Sequence, residues 1–124
     1  MNPDAPFHAH IYYSAEERAK AEGLRQAFGR APEILFVGSM TDRPVGPHPV
    51  AQFEVHFLAE ARSSVVATIE ASALRALVHP LTHDDVADHT SLAQWIGEPL
   101  ALDVGVLDAP GENQGVARFG KSDF

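Results

Sequence analysis

Hydrophobic and polar positions change period along this chain. Over residues 7–13 (FHAHIYY), Phe7, Ala9 and Ile11 alternate with His8, His10 and Tyr12. This period of two predicts a half-buried strand with two histidines on one face. Ser14-Ala15-Glu16-Glu17 follows and fits a capping box, in which the serine and glutamate side chains satisfy each other's amides. A helix is expected over 15–28, with Ala19, Leu24, Ala27 and Phe28 as its apolar stripe and Gly23 as a weak point, since glycine inside a helix costs about 1 kcal/mol relative to alanine.

The apolar run 34–37 (ILFV) reads as a second strand. Residues 39–49 (SMTDRPVGPHP) hold three prolines and a glycine, too few amide donors for a ladder or a helix, so an ordered loop carrying His48 is expected. Alternation returns over 51–58, where Ala51, Phe53, Val55 and Phe57 oppose Gln52, Glu54 and His56. Ser63 or Ser64 can cap a helix running to Ala73, a fourth strand covers 74–79 and stops at Pro80, and Thr82 with Asp85 can cap a short helix carrying His89. A weak alternation over 100–107 suggests a fifth strand, and 108–124 reads as a loose polar tail. One domain over 1–107 results.

The order β-α-β-β-α-β with a short C-terminal extension predicts an α+β, ferredoxin-like fold with an antiparallel sheet. Right-handed crossovers place strand one between strands three and four, antiparallel to both. His8, His10, His56 and His79 then meet at one end of the sheet, and parity puts them on the face away from the helices, with Tyr12, Gln52, Glu54 and Arg75.

Composition narrows the chemistry. The chain has 124 residues and no cysteine, which removes disulfides, thiolate metal sites and a cysteine nucleophile. A net charge of −8 with only 9 Lys+Arg disfavours nucleic acid and anionic membrane as partners. The first residues lack the basic and apolar regions of a signal peptide, and no apolar run approaches the ~18 residues of a membrane span, so a cytoplasmic protein is expected. Seven histidines are the feature that composition leaves to be explained.

Two histidines and a carboxylate with open positions is the pattern of non-heme Fe(II) oxygenases. His10, His79 and either His8 or Glu54 are the ligands that the strand pattern offers, and His48 on its proline-stiffened loop suits a proton shuttle. Each feature also has a plainer explanation. His-x-His on an exposed strand is commonly polar surface, His79 beside Pro80 can satisfy backbone carbonyls, and Glu54 can pair with Arg75 across strands. His83 reads as surface, and Trp95 as core or interface.

Four motifs in order, Phe7-His8-Ala9-His10-Ile11-Tyr12-Tyr13, Arg43-Pro44-Val45-Gly46-Pro47-His48-Pro49, Leu77-Val78-His79-Pro80, and Asp88-His89-Thr90 with Trp95-Ile96-Gly97-Glu98-Pro99-Leu100, resemble the DOPA 4,5-dioxygenase family over about residues 7–107. The resemblance implies a ferredoxin-like fold, a homodimer, and extradiol opening of a catechol ring by O2 on a non-heme metal, with Fe(II) the expected cofactor and Zn a substitute. It includes His8, His10, His48, His79 and His89, and leaves His56 and His83 outside. The expected roles are His8, His10 and His79 as metal ligands, His48 and His89 as acid/base groups, and Tyr12, Arg43 and Arg75 as contacts to a small aromatic substrate. The competing readings are a non-catalytic dimeric module binding a small ligand and, more remotely, a zinc hydrolase.

Overall fold

A computed structural model describes residues 2–109 and 118–121. Its elements are β1 (Pro6–Tyr12), α1 (Arg18–Gly29), β2 (Phe36–Val37), β3 (Gln52–Leu58), α2 (Arg62–Ser72), β4 (Ala76–Pro80), α3 (Asp85–His89) and β5 (Gln94–Ile96). They build one antiparallel sheet in the order β2-β3-β1-β4-β5. The first four strands follow the ferredoxin-like order expected from the crossovers, with β1 at the centre, and β5 extends the sheet beyond β4.

Local chemistry moved several boundaries. The capping box forms, with Ser14 N donating to Glu17 Oε1 at 3.0 Å and Glu17 N to Ser14 Oγ at 3.2 Å, but it closes a turn and the helix starts only at Arg18. Helix α2 enters through a 3-10 turn, Ala59–Ala61, with no side-chain cap, so neither Ser63 nor Ser64 caps it. Helix α3 is capped by Asp84, which directly precedes it and accepts from Ala87 N. Thr82 instead receives Asp84 N on its hydroxyl and binds the Asp88 carboxylate, a second use of a short side-chain oxygen near a helix start.

The expected fifth strand over 100–107 is absent, and the fifth strand is Gln94–Ile96. Ile96 pairs with Ala76 and is 7% exposed, whereas Val104 and Val106 are 42% and 57% exposed in a 3-10 turn. A strand persists where its side chains find a surface to pack on, and 94–96 has one while 100–107 does not.

Phe7, Ala9, Ile11, Phe53, Val55, Phe57, Ala76 and Val78 turn to one face and pack with Leu24, Phe28, Val65 and Ile69 of the two long helices. Burying each larger side chain there contributes roughly 1.5–3 kcal/mol. The opposite face was expected to be open, but His8, His10, Tyr12, Gln52, Glu54, His56 and His79 are all at most 2% exposed. The His48 ring lies 4.1 Å from that of His10, His89 of α3 lies 4.2 Å from His79, and Phe119 lies 5.7 Å from His56. A proline loop, a short helix and the described part of the C-terminal stretch therefore cover the polar face. No helix among the described residues is long and apolar enough to cross a membrane.

Candidate metal centre

Strand register builds the site in rows. His8 pairs with His56 on one side and His79 on the other, while His10 pairs with Glu54 and Leu77. Residues from three strands thus become neighbours, and six of the seven histidines are buried, only His83 being exposed. His8, His10 and His79 each offer a ring nitrogen within 4.8 Å of the others, and the ring nitrogens of His8 and His56 with a carboxylate oxygen of Glu54 form a second overlapping group of the same span. The first group is the ligand set expected from the sequence. In the second, Glu54 faces histidines rather than Arg75, which is exposed.

Hydrogen-bond partners assign the tautomers. His79 Nδ1 lies 2.8 Å from Pro80 O, His89 Nδ1 2.8 Å from Asp85 O, and His10 Nδ1 3.0 Å from Gln52 Oε1. Pro80 O and Asp85 O only accept, so His79 Nδ1 and His89 Nδ1 each carry a proton, while the Gln52 amide can accept from or donate to His10 Nδ1. His10 Nε2 and His79 Nε2 are 3.0 Å apart. Burial and neighbouring histidines hold both pKa values well below 6.5, so both rings are neutral at pH 7. Two nitrogens at ~2.0–2.1 Å from one cation and at right angles would be separated by about 3 Å. Both ring nitrogens of His8 are buried with no hydrogen-bond partner among the described residues, a cost of about 1–3 kcal/mol per group that a ligand would remove. The donor set fits a divalent cation. The His79 contact to a carbonyl, expected as an alternative to a ligand role, is compatible with one, because it leaves Nε2 facing the cluster.

His48 and His89 line a pocket of about 190 Å³ with Gly46, Pro47, Asp85 and Arg118. Engineered cavities of roughly 150 Å³ take up benzene, so one aromatic ring fits. His48 stands between this pocket and His10, and His89 between it and His79. The Tyr12 hydroxyl and His48 Nδ1 share a hydrogen bond of 2.7 Å, and Trp95 lies along the Tyr12 ring at 6.1 Å. Burial, with His89 and His79 nearby, lowers His48 to about 3, and burial raises Tyr12 above its ordinary value. His48 is therefore neutral at pH 7 and a weaker base than free histidine, not poised near neutrality.

Arg43 and Arg75 are exposed, and neither lines this pocket. Its cation is Arg118, bonded to Asp108 Oδ2 at 3.1 Å and 4.0 Å from Asp85 Oδ2. Sequence reasoning missed Arg118, gave Asp85 only a capping role, and gathered Gln52 and His56 with the cluster without assigning either a part in it. Strand parity already placed Gln52 and His56 on the right face, but no pattern marked Arg118.

The comparisons with known proteins agree with this geometry. The model of the Dopa 4,5-dioxygenase family matches residues 7–106. The chain belongs to that family. It is 36% identical over 115 residues to a DOPA 4,5-dioxygenase of Amanita muscaria and, to the same degree, to an uncharacterized 21.2 kDa protein of Botryotinia fuckeliana; each alignment covers 82% of this chain, but only 49% and 62% of those proteins. This member of the family thus spans about half to three-fifths of the length of those curated relatives. A Nostoc punctiforme protein named "putative dioxygenase", known from a crystal structure, superimposes with a TM-score of 0.77 and 37% identity over 84% of this chain and 91% of that one.

Proposed function

We propose that this protein is a metal-dependent extradiol dioxygenase that opens the ring of a catechol, DOPA or a related catecholic amino acid, with O2. The observation that carries the proposal is the pair of buried Nε2 atoms of His10 and His79 at 3.0 Å, with His8 beside them. His8, His10 and His79 would hold the ion. A divalent ion there supplies Lewis acidity, and Fe(II) adds the redox chemistry that O2 requires, with Zn filling the site without it.

The remaining residues suit a catechol. The pocket wall brings a ring against His48, whose neutral imidazole accepts a hydrogen bond from a phenolic hydroxyl at Nε2 while its Nδ1 donates to the Tyr12 oxygen. His89, fixed by the Asp85 carbonyl, presents a second basic nitrogen on the far wall. Arg118 and Asp85 place opposite charges at this pocket, a match for the carboxylate and ammonium of an amino acid. Burial of the whole cluster excludes water from the reacting groups.

The test is anaerobic loading with Fe(II), then oxygen uptake with a panel of catechols. Stoichiometric uptake with a yellow ring-opened product is expected; a metal-loaded protein that consumes no oxygen with any of them refutes the assignment. His10→Ala should lose metal, whereas His48→Ala should keep metal and lose turnover.

A further inference from the structure

Glu54 and His56 lie beside the expected ligands, and His56 is outside the family motifs. Gly120 N–H donates to His56 Nδ1 at 2.9 Å. A backbone amide can only donate, so His56 Nδ1 carries no proton and the neutral ring holds it on Nε2. That Nε2 faces Glu54 Oε2 at 3.2 Å, and the same oxygen lies 3.6 Å from His8 Nδ1; both are charge contacts without hydrogen-bond geometry. His8 and His56 stack with their ring centroids 3.7 Å apart, so both edges address one carboxylate oxygen. Glu54, His8 and His56 are each at most 2% exposed.

We infer that Glu54 is a positioning residue for the metal centre, holding His8 with its proton on Nδ1 and Nε2 turned into a ligand, and that His56 and the Gly120 amide fix Glu54 in turn. The chain of contacts runs from the Gly120 N–H, hydrogen-bonded to His56 Nδ1, to the His56 edge that faces Glu54, and from the Glu54 carboxylate to His8 by charge alone. A carboxylate behind a ligating imidazole fixes ring orientation and raises its basicity. The three residues could instead form a second cation site, since their donor atoms lie within 4.8 Å of one another. The Gly120 bond opposes this, because His56 would have to give up its remaining proton to bind a cation through Nε2. Gly38 makes room for the carboxylate: a Cβ there would stand 2.9 Å from Glu54 Cγ. Phe119 lies along both His8 and His56, at 6.5 and 5.7 Å, and closes this side of the cluster.

This inference rests on the proposed metal site, and the experiment separates the two. Zinc affinity and stoichiometry are measured by competition with a chromophoric chelator for the full chain, Glu54→Gln, His56→Gln and the double variant. Long-range 1H–15N spectra of the metal-free wild type report the histidine tautomers. One equivalent of zinc in the wild type, a 10- to 100-fold loss for Glu54→Gln, a loss of the same sign for His56→Gln, and a double variant no weaker than Glu54→Gln are expected. The tautomers expected are Nδ1–H for His8 and Nε2–H for His56. Unchanged affinity in Glu54→Gln, a second equivalent lost in His56→Gln, or an Nε2–H tautomer at His8 would overturn the inference. A wild type that binds no zinc would sink the metal site itself. The wild-type spectra stand even where a variant fails to fold.

Discussion

Lowering the pH should unfold the metal-free protein in a range where ordinary domains are still at rest. Burial and mutual repulsion hold His8, His10, His48 and His79 below their ordinary value of 6.5. As pH falls through 6.5 these four rings take up protons in the unfolded chain but not in the native one, so the unfolded state binds more protons and stability falls with pH. The loss continues until the folded values are reached, which for His48 means about 3. Its size depends on the unfolded value as long as the folded ones lie well below the window. At pH 5.5, one unit below 6.5, each group contributes about 1.4 kcal/mol, and four together about 5–6 kcal/mol, close to the entire stability of a marginal domain. The assay is urea unfolding followed by circular dichroism in the presence of a chelator, at intervals from about pH 7.5 to about pH 5.5, above the range where most carboxylates titrate. The midpoint should move steeply towards lower urea over this interval. A total loss below about 1.5 kcal/mol would mean that no more than one of these histidines is buried and neutral, and the reasoning for a packed cluster of lone pairs would fail with it.

Other perturbations follow from the same geometry. Ala73 ends α2 with a φ of 62°, a left-handed conformation that costs an L-residue about 1–2 kcal/mol, so Ala73→Gly should raise the urea midpoint by a stability gain of roughly 0.5–1 kcal/mol after glycine's own entropy cost. Gly38→Ala would put a methyl 2.9 Å from Glu54 Cγ and 3.3 Å from Glu54 O; displacement of the carboxylate should weaken zinc binding about tenfold, measured by chelator competition. Arg118→Gln should raise the KM for DOPA roughly tenfold to a hundredfold through loss of a charge-assisted bond, while the KM for a catechol without the amino-acid end changes little; equal changes for both would remove Arg118 from substrate recognition.

The sequence carried much of the fold because the strands around the site are amphipathic. Alternation in β1 and β3 determined which side chains share a face, and the order of elements determined which strands are neighbours. That His8, His10 and His79 gather in space was therefore legible before any coordinates. The four motifs also brought in His48 and His89, which no periodicity could place, since one sits in a loop and the other on a five-residue helix.

What the tertiary structure alone decided was the environment of those side chains. A period of two records faces, not what covers them, so the pattern could not distinguish an open polar sheet face from one sealed beneath a loop, a short helix and Arg118–Gly120. Burial then changes the chemistry: it lowers the pKa of His8, His10, His48 and His79, and the carbonyls of Pro80 and Asp85 and the Gly120 amide choose which nitrogen of His79, His89 and His56 carries the proton. Those partners are main-chain atoms, identical in every residue, and a sequence holds no mark of where they will point.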